Sequence, residues 1–351
     1  MPINTGLAHL SNGFLICAVV VYAVAMVAYA CDFAFGKKKA PAVLRARVPE
    51  LVSAQAGGSP PVAADRVAAG PGNAVAGGDG PGENTVVAAD QRLGRRPVGF
   101  WVTTAVVLTG VGLAFHLAGV TTRGLAVHRL PWGDMYEFVT SLTCVAMAFF
   151  LAAMIRYRAY YMGLFLTAAV VLVLGLAETV IYTPAGELPP ALQSYWLAIH
   201  VTAMTLATGI FFVAAVTGIM YLVVDRHARR VAAGGRRGAD GILRRLPGPA
   251  ELDRFAYRTI VFGFPVWTFG VMAGAIWADY AWGSYWSWDP TETWAFITWV
   301  VYACFLHARA TAGWRGRRAA LIQLTAFCCL LFNVLVVSLI IPGQHSYAGL
   351  H

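Results

Sequence analysis

The chain has 351 residues, of which 58% are hydrophobic and 12% charged, against about a quarter charged in an ordinary soluble domain. So apolar a chain cannot cover a globule with polar surface, which excludes a water-soluble enzyme or binding module and leaves an integral membrane protein. The formal net charge of +9 does not mark a nucleic-acid binder, because the basic residues are distributed as a membrane topology distributes them.

Taken in order, apolar runs predict eight membrane spans, at 12–35, 98–120, 136–155, 160–182, 196–224, 255–280, 294–308 and 319–341. Most approach the ~20 residues that cross ~30 Å of hydrocarbon. The expected fold class is therefore an all-α polytopic membrane protein. The first run lacks a basic leader and is longer than the apolar segment of a cleaved signal peptide. Residues 1–36 are read as a retained helix. Residues 37–97 differ from the rest: 29 of these 61 positions are Gly, Pro or Ala, with no aromatic residue and no apolar period. They read as a disordered cytoplasmic linker. Residues 98–351 then form a seven-helix domain.

Lys and Arg fix the expected orientation. The loops at 36–97, 156–159, 225–258 and 309–318 hold 24 of the 26, and only Arg123 and Arg129 fall on the other side. The positive-inside rule puts both termini outside the cytoplasm. Within the basic loop 225–258, the segment "ELDRFAYRTIVFGF" is expected as an interfacial lead-in to the sixth span. The six cysteines lie in or at the ends of spans and form no CxxC, so the chain carries no thioredoxin-like motif and no covalent haem site of its own.

The loop before the seventh span carries the chemistry. "WGSYWSWDPTE", residues 282–292, belongs to an eighteen-residue stretch holding Trp277, Tyr280, Trp282, Tyr285, Trp286, Trp288 and Trp294. An aromatic belt at the bilayer surface needs only one or two such residues per helix end and has no use for Asp289 and Glu292. A flat conjugated ligand gives a better account, since indole faces stack on it. Porphyrin is flat and apolar, with two carboxylates on one edge. Gly283 would allow close backbone approach. Pro290 suits the first turn of the next helix with Asp289 as its N-cap and Glu292 within that turn, so capping competes with a ligand role for both carboxylates.

The pattern Trp282-Gly283-x-x-Trp286-x-Trp288-Asp289-x-x-Glu292 resembles the "WWD" signature of haem-handling membrane proteins of cytochrome c maturation, the superfamily of CcmC, CcmF and CcsA (also called ResC). Eight spans, "PWGDMYEF" before the third and "GQHSYAG" after the eighth are most similar to the CcsA family. The resemblance covers about residues 98–351 and implies haem b as a bound substrate. In that family a histidine before the tryptophan stretch and one after it are linked to an outer haem iron, and His200 and His345 occupy those positions. Both lie at the expected outer ends of their spans, on the face that carries the tryptophans. His307 lies thirteen residues past Trp294, ~20 Å deeper at ~1.5 Å per residue, so it cannot share that iron. An ionisable residue inside a bilayer is a functional candidate by default, and the family has an intramembrane haem-linked histidine here. No second ligand for it is evident in the chain, so another polypeptide is expected to supply one. His116 lies near the outer face and reads as a packed or hydrogen-bonded side chain. Arg123 and Arg129, which break the charge rule, are candidates to meet the haem propionates.

The resemblance implies a subunit of a cytochrome c synthase (haem lyase) complex in the bacterial cytoplasmic membrane, its working face extracytoplasmic. It would present haem for thioether formation with an apocytochrome c CxxCH segment, beside a CcsB/ResB-like membrane subunit and a thioredoxin-like reductant, with no nucleic acid involved. The proton donor is unassigned, with Asp289 and Glu292 as candidates. Two rival readings are a haem transporter without attachment chemistry and a b-type cytochrome redox subunit.

Overall fold

A computed structural model describes residues 3–35, 99–187, 192–234, 243 and 246–345. The linker expected over 37–97 lies outside the described residues. Among the described residues there are helices and no strand: α1 (Thr5–Phe35), α2 (Phe100–Ala126), α3 (Met135–Tyr157), α4 (Gly163–Thr179, led in by a 3-10 turn at Tyr160–Met162), α5 (Tyr195–Ala232), α6 (Pro249–Trp282), α7 (Pro290–Ala310) and α8 (Arg317–Phe332). α8 continues through a π-helical turn, Asn333–Val337, into a short last turn, Ser338–Ile340.

All of these except α7 are long and apolar enough, by length and composition, to cross a membrane, seven helices in total. The chain is an integral membrane protein of all-helical architecture. α7 coincides with the seventh expected run, but Glu292 in its first turn and His307 and Arg309 in its last dilute its apolar stretch. In hydrocarbon every backbone and side-chain polar group needs an internal partner. The buried hydroxyls of Thr109, Thr140, Thr143, Thr167 and Thr217 accordingly donate to the carbonyl four residues back in their own helices.

Four helices outrun the sequence pattern, and α1 does so by beginning at Thr5. α2 continues to Ala126, carrying Arg123 inside the helix, where its charge is neutralised by an ion pair. α5 spans 38 residues, about 57 Å at ~1.5 Å per residue. α6 begins at Pro249, which suits a first helical position because its missing N–H would have no partner there. The expected lead-in is thus part of one helix that passes through Pro265.

Three apolar clusters hold the described residues together, the smallest joining Leu15 of α1, Tyr136 and Val139 of α3 and Ala177 of α4; two are larger. One joins Tyr22 and Tyr29 of α1 to Met147, Phe150 and Met154 of α3, Leu166 and Val170 of α4 and Val213 of α5. The other joins Phe211 of α5 to Ile260 and Trp267 of α6, Tyr302 and Phe305 of α7 and Phe327 and Leu330 of α8. The Phe211 and Tyr302 rings stack with centroids 4.0 Å apart. α5 contributes to both larger clusters, as do α6 through Leu252 and α8 through Ala320. At the far end of α7 from the tryptophan loop, Arg309 donates to both oxygens of Asp253 (2.7 and 2.9 Å), which also accepts the Gly316 N–H. This pairing ties α6, α7 and the start of α8 together.

Candidate functional site

The tryptophan loop is built by two helix ends. α6 stops at Gly283, whose φ of 76° is left-handed and whose N–H donates to the Asp279 carbonyl. No atom crowds the position a Gly283 Cβ would take. Backbone conformation, rather than close approach, therefore explains this glycine. Trp288 is also left-handed, at φ 58°, a strained conformation for a bulky residue. Asp289 then caps α7. Its Oδ1 accepts the Thr291 N–H (3.0 Å), and the Glu292 Oε2 returns to accept the Asp289 N–H (3.2 Å), a reciprocal capping box. Glu292 Oε2 also accepts the Ser287 N–H.

Asp289 does more than cap. Its Oδ2 accepts the Gln344 N–H (2.7 Å), and its Oδ1 also accepts from His345 Nδ1 (2.9 Å). Gly343 makes this return of the chain possible, since a Cβ there would sit 2.5 Å from Asp289 Oδ2. Burial pushes the Asp289 carboxyl up, but the hydrogen bonds from His345, Gln344 and Thr291 outweigh it and hold the group below the usual carboxylate range.

His200 enters from α5, six positions into the helix. Its Nδ1–H donates to the Gly270 carbonyl of α6 (2.8 Å). Its ring lies nearly parallel to the Trp277 indole, with centroids 6.1 Å apart and planes 13° apart. The bare α-carbon of Gly274 meets the same ring, where a Cβ would be 2.6 Å from it. His345 packs edge-on against Trp277 (5.8 Å) and Trp282 (5.1 Å). Both imidazoles thus flank one indole, and each has Nδ1 tied to an acceptor. That tautomer leaves Nε2 as the lone-pair donor on each ring, the arrangement metal-binding histidines use. Both rings line one cavity of about 80 Å³, together with Trp282, Trp286, Glu292 and Asn333. Asn333 Nδ2 donates to the Thr291 carbonyl, while its buried Oδ1 has no partner.

The structure therefore brings His200, His345, Trp282, Trp286, Asp289 and Glu292 together. Trp288 is 69% exposed and meets Trp286 edge to face. His307 stands apart. The buried face of α7 is Ala295, Thr298, Tyr302 and Phe305, whereas His307 is exposed. His116 is fully buried, with Nε2 against the Thr140 carbonyl and Nδ1 against the Tyr22 hydroxyl, so it is a packed residue.

Arg123 and Arg129, the candidates to meet the haem propionates, are both engaged by Glu137. Arg123 Nε donates to Glu137 Oε1 (3.0 Å), Arg129 Nη1 to Glu137 Oε2 (2.7 Å), and Arg123 Nη2 to the Thr183 carbonyl. The two cations share one buried carboxylate that pins the loop before α3, and Asp134 caps that helix by accepting the Glu137 N–H. "PWGDMYEF" is the sequence trace of this clamp. Trp277, Gly274, Gly343 and Asn333 were not singled out from sequence as site residues. Asn333, an amide inside an apolar run, was the one available signal.

The fold and site define a polytopic all-α membrane protein with paired histidines in a tryptophan-walled cavity at one end of the bundle. Residues 112–345 match the family model described as cytochrome c assembly protein. CcsA of Parasynechococcus marenigrum (strain WH8102) is 34% identical over 279 residues, covering 72% of this chain and 90% of that protein. CcsA of Gloeobacter violaceus is 34% identical over 278 residues, covering 66% and 82%. Among solved structures, cytochrome c haem lyase CcmF shares the fold, with a TM-score of 0.58 at 16% identity over 96% of this chain. This chain spans about half of CcmF, 47% of its length. The chain belongs to the cytochrome c assembly protein family, with CcsA among its relatives, and so to the biogenesis of c-type cytochromes. The resemblance read from the tryptophan motif and the expected all-helical membrane fold are both borne out.

Proposed function

We propose that the chain holds haem b as a substrate on the extracytoplasmic face of the bacterial cytoplasmic membrane and presents it for thioether formation with an apocytochrome CxxCH segment. One observation carries this reading: two imidazoles face one indole-walled cavity, each with Nδ1 engaged and Nε2 available. His200 and His345 are the axial ligands, and Trp282, Trp286 and Trp288 supply the aromatic surface. Gly283 and the Asp289–Glu292 capping box shape the loop that carries these tryptophans. The cavity is far below the ~300–1,000 Å³ of sites that enclose a small molecule. A macrocycle held there keeps its edge accessible, as attachment demands. Each thiol adds across a vinyl group, sulfur to one carbon and a proton to the other, with no net redox change.

Asp289 takes three hydrogen bonds over both its oxygens, and Glu292 Oε2 accepts the Ser287 and Asp289 N–H. Asp289 is not the proton donor in this reading. Holding the substrate in line supplies the rate gain. A CcsB/ResB-like membrane subunit acts beside this chain, and a thioredoxin-like reductant keeps the substrate thiols reduced. His307, exposed on α7, suits an inner haem site completed by a ligand from that subunit.

The test is co-expression with the CcsB-like partner and a CxxCH reporter, scored for haem that stays bound after denaturation. Covalent reporter supports the synthase reading. An apo reporter with haem delivered outside supports a carrier, and stable haem with neither result supports a redox subunit. In the same system, His307→Gly lowers haem loading of the outer site by roughly tenfold or more, read from the haem bands of the purified complex. Gly274→Ala drives a methyl into the His200 ring. It weakens haem retention by roughly 10–100-fold, and added imidazole does not rescue it, because the site is crowded rather than vacated.

A further inference from the structure

We propose that the two imidazoles of this site have unequal tasks: His200 is the ligand that stays, and His345 is the ligand that gives way to the CxxCH histidine, with Asp289 as its latch. The inference rests on the outer-site reading above.

The asymmetry lies in how each ring is held. His200 projects from the second turn of a long helix, and α6 grips it three ways: the Gly270 carbonyl on Nδ1, the Trp277 indole along its face and the Gly274 α-carbon against the ring. Withdrawing it means separating α5 from α6. His345 lies beyond the last helical turn, past Pro342, in non-helical chain. Its hydrogen-bonded hold comes from one short loop. Asp289 accepts from its ring and from the Gln344 N–H, and the Ser287 hydroxyl donates to Gln344 Oε1 (2.7 Å). Its side chain is 22% exposed, so an incoming histidine has access to its place. The residue before the latch, Trp288, holds left-handed backbone, and such strain favours a second arrangement of the loop. Release of His345 thus breaks a few hydrogen bonds at a strained loop and leaves the helix packing intact.

Two measurements on the full chain in complex with its partner, purified with haem b, test this. In the first, carbon monoxide binding to the reduced haem reports how fast an axial imidazole leaves. Asp289→Asn keeps a side chain able to cap α7 but loses the carboxylate, and it speeds carbon monoxide binding about tenfold. In the second, a CxxCH peptide is offered to His345→Gly and His200→Gly, each first restored with imidazole. The peptide histidine displaces imidazole and yields covalent haem in His345→Gly and fails to do so in His200→Gly. The reverse preference, or an unchanged carbon monoxide rate in Asp289→Asn with haem retained, overturns the assignment. If both glycine variants keep the parent spectrum without imidazole, the outer-site reading itself fails, and this inference falls with it.

Discussion

Replacing His200 or His345 by glycine, one at a time, removes the six-coordinate haem spectrum of the purified protein, and added imidazole brings it back. The loss in haem affinity exceeds the roughly 10–100-fold that follows when only the hydrogen-bonding partner of a metal ligand is removed, because on the proposed assignment a ligand itself is gone. Rescue is expected because glycine leaves a space of imidazole size while the neighbours stay in place: Gly270 and Trp277 around one ring, Asp289 and Trp282 around the other. A variant that keeps its parent spectrum without imidazole would show that its histidine does not bind iron. The same pair of variants at His9 and His128 should leave the spectrum unchanged.

Removal of the Glu137 carboxylate is the largest stability effect the fold predicts. Glu137 is fully buried between Arg123, itself 2% exposed, and Arg129, and it also accepts the Gly133 N–H. Breaking a buried ion pair by deleting one partner costs about 3–5 kcal/mol, because the remaining charge is left without compensation. Glu137→Ala strands two guanidiniums. Asp134, 3.8 Å from Arg123, is a weak replacement, since that distance is beyond a hydrogen bond and burial disfavours its charged form. The expected result is a marked fall in the melting temperature of the detergent-solubilised protein. Arg129→Met in the same background recovers part of it by removing one of the stranded cations. An unchanged melting temperature in Glu137→Ala would mean that the clamp contributes nothing to stability.

Hydropathy located every long helix, because a bilayer allows few other solutions. The α7 start was legible to the residue, since Asp289-Pro290 followed by Glu292 is a local signal with a local cause. The pairing of His200 with His345 was legible only through the resemblance, because nothing in their spacing brings residues from α5 and the end of α8 together. The failures share a cause. Arg123 was placed in a loop because charge interrupts a hydropathy run, yet the helix carries it inward once Glu137 neutralises it. Trp277 was counted among the aromatics, but its place between two imidazoles depends on the register of α6 against α5. Gly274 and Gly343 matter through atoms contributed by distant segments, which no local pattern encodes.

α5 bears His200 near one tip and Arg226, Arg229 and Arg230 near the other, with no proline between, whereas its neighbour α6 is interrupted by Pro265. Sharp bends in helices arise chiefly at prolines and comparable interruptions. The bundle therefore sets a proline-free helix against one with a proline at its middle, the place where a bend costs least. Any displacement of the tryptophan end is expected to bend α6 at Pro265 before it bends α5.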